Sequence, residues 1–116
     1  MKKAEALAAI QASFDRGSNT PCSWAADQDA YIAQQQRELL ELVIEPVVAN
    51  ITDETYSYGV KQELSCAPVF AIARRADNWL LYAPTTDVFS LAYGNSPVAM
   101  TILGFSSSDA LAEWLG

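Results

Sequence analysis

Few residue types in this chain can do covalent or metal chemistry, and their spacing narrows the choice further. There is no histidine among the 116 residues. That excludes His-based triads, imidazole metal sites and the commonest general base near neutral pH. Cys22 and Cys66 are the two thiols. Cys22 falls near a helix start, where partial positive charge lowers a thiol pKa. Free cysteine is more often a small buried apolar residue, and that reading is preferred for both. Two cysteines without histidine fall short of a structural zinc site. Asp27 and Asp29 flank Gln28, and Asp53 adjoins Glu54. Helical neighbours two apart do not face each other, and no calcium-loop spacing is present. Helix-end acidity therefore explains these carboxylates better than a cation site. The five glycines are scattered, so there is no phosphate-cradling loop. No catalytic residue, metal ligand or cofactor is assigned, and the chain is read as non-enzymatic.

The most suggestive pattern is a stripe of carboxylates. On a helical wheel over residues 27 to 45, Ile32, Leu39, Val43 and Val47 lie together, with Leu40 and Leu42 at the margins. Gln34, Glu38, Glu41 and Glu45 lie opposite. This predicts an amphipathic helix with an apolar stripe and an acidic back. Like charges three and four apart cost a few tenths of a kcal/mol per pair. A solvated helix back accounts for such a run by itself; a docking face for a basic partner is the functional alternative. Trp24 lies in a polar segment close to this helix, and an exposed tryptophan there is a natural interface anchor. The candidate partner-binding residues are thus Trp24, Gln34, Glu38, Glu41 and Glu45. Trp79 and Trp114 sit in strong strand and helix patterns and are expected in the core. The Arg74-Arg75 pair is a small, turn-proximal basic spot.

Charge limits the classes of partner. The formal net charge is −7, from seven Lys and Arg against fourteen Asp and Glu. Such a chain cannot build a large basic footprint, which argues against nucleic acid and against anionic lipid surfaces. Attraction to a basic protein remains open. Eight acids fall between Asp15 and Glu54, against Arg16 and Arg37. The negative potential therefore centres on the predicted acidic helix. No apolar run is long enough to span a bilayer. The apolar stretch Ala6 to Ile10 is too short for an export signal. A cytoplasmic protein with free thiols is expected.

These residues must be positioned by a single domain covering 1–116, a length that supports one real core. Residues 3 to 15 are alanine-rich, with Leu7, Ile10 and Phe14 at helical spacing, and Gly17-Ser18-Asn19 provides a stop. The second helix starts near Thr20-Pro21, Ser23 or Asp27 and runs to Glu45. Pro46 then kinks or ends it, with Val47 to Ile51 as a further turn. Thr55 to Leu64 alternates and is read as a strand. Val69–Arg74, Trp79–Tyr82, Val88–Tyr93 and Val98–Leu103 follow as strands joined by short turns. Ser106 is expected to cap a short last helix carrying Leu111, Trp114 and Leu115 on one face.

The expected fold is α+β: N-terminal helices, an antiparallel four- or five-stranded meander and a short C-terminal helix, with helices on one face of the sheet. In size, acidity and layout it is similar in type to many bacterial immunity proteins. The leading functional expectation is a small acidic protein-binding domain, of the inhibitor or immunity type, covering a basic partner. The alternative is a small-molecule binding or sensing domain with a pocket between the sheet and the kinked helix near Pro46. A cysteine-dependent enzyme ranks third. An exposed sheet edge allows a homodimer.

Overall fold

The structure is a computed structural model that describes residues 1–17, 24–55, 59–64 and 67–115. Cys22 and Cys66 lie outside the described residues, as do Tyr56 and Tyr58 of the predicted first strand. The fold is α+β, as the sequence predicts, but its sheet has six strands.

Helix α1 spans Lys3–Asp15. At its start the Lys2 amide donates to the Glu5 carboxylate at 2.8 Å. At its end Gly17 takes φ +87, a left-handed conformation that suits glycine, and its amide closes on Phe14 O. Helix α2 spans Gln28–Glu41, and Asp27 caps it by accepting from the Ala30 amide at 3.1 Å.

The predicted continuation of α2 to Glu45 is corrected. The chain turns at Leu42, and Val43–Val48 form strand β1. The physical reason is local and tertiary at once. Pro46 has no amide to continue a helix and drives Glu45 toward extended backbone. Val43, Ile44, Val47 and Val48 are β-branched and suit a pleated surface. An edge strand tolerates proline, and the Leu42 carbonyl already accepts from Arg74 N at 3.2 Å, which starts the pairing.

Strand β2 is Ile51–Glu54, and α3 is Val60–Leu64. The predicted strand over 55–64 is therefore corrected at its second half, which is helical. Strands β3 (Phe70–Arg75), β4 (Asn78–Ala83), β5 (Val88–Tyr93) and β6 (Met100–Ser107) form the expected meander. Helix α4 spans Ala110–Leu115. Its cap is Asp109, which accepts from Ala112 N at 3.0 Å; Ser106 belongs to β6 instead.

The strand order is β1-β3-β4-β5-β6-β2. All neighbours are antiparallel except β2, which runs parallel to β6. The two edge strands are consecutive in sequence, and only Ala49 and Asn50 separate them. In a flat sheet the edges would stand roughly 24 Å apart, five spacings of about 4.8 Å. The chain from Val48 to Ile51 reaches at most about 11 Å. The sheet must therefore curl into an incomplete barrel whose seam this segment crosses. Hydrogen bonds follow the crossing: Ala49 N donates to Val69 O, Asn50 N to Pro97 O, and Met100 N to Asn50 O. The free edges are blunted by Pro46 and a bulge in β1 and by the shortness of β2.

Two cores result. On the outer side of the curl, Ile72, Leu80, Tyr82 and Phe89 pack with Ala6, Ile10, Leu39, Ala110, Leu111 and Trp114 from α1, α2 and α4. The inner side is lined by Ala71, Ala83 and Ala92 with Trp79, Leu81, Met100 and Ile102, and is closed by Ala49 and by Leu64 of α3. Small residues there fit the confined space inside a curled sheet. Strand β4 is buried from Trp79 to Ala83 because it is covered on both faces. Trp79 and Trp114 are core residues, as predicted.

Candidate functional site

The outward side of α2 gathers most of the predicted partner-binding residues. Leu39 is fully buried and holds the opposite side against the outer core, with Ile32 and Leu40 partly buried beside it. That orientation sends Gln34, Arg37 and Glu41 into solvent and leaves Glu38 half-buried at the margin. Within the stripe the spacing runs 31, 34, 38, 41, alternately three and four residues, so Tyr31 continues it toward the N-terminal end. Trp24 is 69% exposed and meets Tyr31 edge-on, with ring centroids 5.9 Å apart and planes at 79°. Such T-shaped contacts are favourable between aromatic rings and limit the positions open to the indole.

Glu38 and Glu41 form no ion pair among the described residues. Arg37 sits on the same outward side and is the one basic residue of α2. Glu45 is separated from the stripe. It stands on β1, and its Oε1 accepts from the Lys3 amide at 3.2 Å, where the positive end of α1 favours a carboxylate. The structure thus brings together Trp24, Gln34, Glu38 and Glu41, and adds Tyr31, which the sequence reading did not single out. Its signal in the sequence was an aromatic three residues before Gln34 and seven before Glu38.

The remaining polar clusters act within the fold. Ser13 is buried; its Oγ donates to Ser108 O at 2.9 Å and accepts from Ala110 N at 2.8 Å, joining α1 to the start of α4. Arg16 donates to Ser108 O at 3.0 Å and lies 3.7 Å from Asp87. The Tyr82 hydroxyl donates to Asp87 Oδ1 at 2.6 Å. Burial, then the hydrogen bond to Asp87 and its negative charge, push the Tyr82 pKa up to about 12. Glu113 is raised above the ordinary carboxylate value, first by burial, with a hydrogen bond from Ser107 opposing. Arg74 stacks over Trp79 at 4.4 Å and donates to Ala76 O, which explains the predicted basic spot as packing.

The expected pocket between the sheet and a kinked helix has no such helix to form it, because Pro46 is in β1. One hollow of about 190 Å³ lies at the seam, lined by Val48 to Ile51, Leu64 and Ala67 to Val69. A more open one of about 310 Å³ lies among Asp77, Tyr93, Gly94, Asn95, Ala99 and Thr101. The first is smaller than the usual range for a small-molecule site, and the second sits at its lower end. No group of three or more Cys, Asp or Glu placed to hold a metal occurs among the described residues. No helix among them is long and apolar enough to cross a membrane. In comparisons with known proteins, no family model, no curated protein and no solved structure matches this chain.

Proposed function

We propose that this chain is a small acidic, non-enzymatic protein-binding domain, of the inhibitor or immunity type, that covers a basic partner with the outward side of α2. The observation that carries the reading is the placement of Glu41 in solvent and Glu38 half-buried at its margin, both without an ion pair among the described residues, while Leu39 anchors the helix from behind. Unpaired like charges on one helix side cost stability slightly. A cationic surface offsets that cost and gains from steering at long range. The net charge of −7 supports the same sign of partner. Trp24 and Gln34 extend the face with contact area and hydrogen-bonding capacity. The setting on this reading is the cytoplasm.

The test is affinity purification with the full chain, followed by binding measurements on the purified partner. Glu38→Lys with Glu41→Lys is expected to abolish binding, and wild-type affinity is expected to fall as salt rises. Glu45→Gln is the control: that carboxylate accepts from the Lys3 amide, apart from the stripe, and its neutralisation is expected to leave binding unchanged. Undiminished affinity in the double reversal, with the same salt slope, removes the acidic-face reading.

A further inference from the structure

Resting on that reading, we infer that the partner surface has two parts: an apolar socket that takes the Trp24–Tyr31 pair, and cationic groups in line with it. Trp24 is large, 69% exposed and nonetheless held edge-on by Tyr31. An indole already held against Tyr31 loses less freedom on docking than an unsupported one, and tryptophan is enriched among residues that dominate binding energy. Tyr31 lies on the stripe that leads to Glu38 and Glu41. At 1.5 Å per residue, the carboxylates stand about 10 and 15 Å along the helix from Tyr31. Aromatic contact and charge are therefore separated along one axis, with Gln34 between them. Charge alone would attract any polycation; the aromatic end selects a surface that is both basic and apolar. Arg37, on the same side, disfavours a cationic group placed midway.

Two defined probes test this on the full chain. One is a helical peptide of alternating leucine and lysine clusters; the other is poly-L-lysine of equal charge. The amphipathic peptide is expected to bind at least about tenfold more tightly and to shift the tryptophan emission to the blue. Trp24→Ala and Tyr31→Ala are each expected to remove that advantage and leave poly-lysine binding unchanged. Equal binding of both probes, unaltered by Trp24→Ala, overturns the two-part surface while the acidic face stands. Binding of both probes that Glu38→Gln with Glu41→Gln leaves unaltered overturns the acidic face itself. The Trp24 side chain is largely exposed, so its removal leaves the fold intact.

Discussion

The carbonyl of Asn50 accepts from the amide of Met100 at 2.9 Å, and this bond fastens the segment leaving β1 to β6, the strand next to the far edge of the sheet. Asn50 also donates to Pro97 O at 2.8 Å, so one residue is tied twice across the seam. Its neighbour Ala49 is tied to Val69 on the other side. The curl of the sheet, and hence the enclosure of the inner core, depends on this crossing.

Replacing Asn50 by proline deletes the donor to Pro97 and restricts Ala49. A loss of about 1–3 kcal/mol is expected, as the lost bond leaves a strained junction. The urea midpoint of Asn50→Pro against Asn50→Ala measures it, since alanine keeps both backbone bonds. Equal midpoints for the two variants contradict the proposed stitch.

Ser13 joins α1 to α4 through a donated and an accepted bond. Ser13→Ala leaves the Ala110 amide without its side-chain acceptor in a buried site, at a cost of about 1–3 kcal/mol. Thermal unfolding is expected to move down by several degrees in a domain of this size. Ser13→Thr, which keeps the hydroxyl, is expected to recover part of that loss. Hydrogen exchange at Ala110 provides a local check, because it should accelerate in the alanine variant.

Tyr82 gives a stability that depends on alkaline pH. Its folded pKa of about 12 exceeds the ordinary 10.0, so the folded state keeps its proton where the unfolded state has lost it. The contribution is complete below pH 10 and declines as pH rises from about 10 to 12. Denaturant midpoints of wild type and Tyr82→Phe should therefore converge over that window. A constant difference between them across the window contradicts the assignment.

Glu113 has the opposite practical consequence at neutral pH. Its pKa is raised, chiefly by burial, so folding favours the protonated form. Its favourable contribution is present below the ordinary carboxylate pKa and is lost as pH rises through the folded one. Glu113→Gln is then expected to raise the denaturant midpoint at pH 7, with the gain shrinking as pH falls toward 4. A gain that stays level with pH shows that it does not arise from ionisation of Glu113, and rejects burial of its charge as the cause.

Gly94 lies where the β5–β6 connection passes close to its own return. A Cβ there would stand 2.7 Å from Ala99 O, a backbone atom that cannot swing aside. Gly94 N also donates to Asp77 O, and Gly94 O accepts from the Trp79 indole. Gly94→Ala is expected to cost about 1–3 kcal/mol through overpacking. The midpoint of urea unfolding reports it, and an unchanged value shows that the loop yields freely.

Local patterning was enough for α1, for β3 to β6 and for the existence of a short last helix. Each carries its period within its own residues, and the turns between β3, β4 and β5 are short enough to force neighbouring strands. The helical wheel places Leu39 inward and Gln34 and Glu41 outward, as they stand in the fold, and errs only in the depth of Glu38, which is half-buried at the margin. Tertiary structure decided the rest. Leu42 to Val48 fits a helical stripe and a strand equally well; pairing with β3, begun by Arg74 and Leu42, selects the strand and moves Glu45 to the start of α1. Nor could the sequence show that β1 and β2, two residues apart, flank opposite edges of one sheet. Strand partners are chosen by long-range hydrogen bonds and shared burial, which no window of neighbouring residues contains.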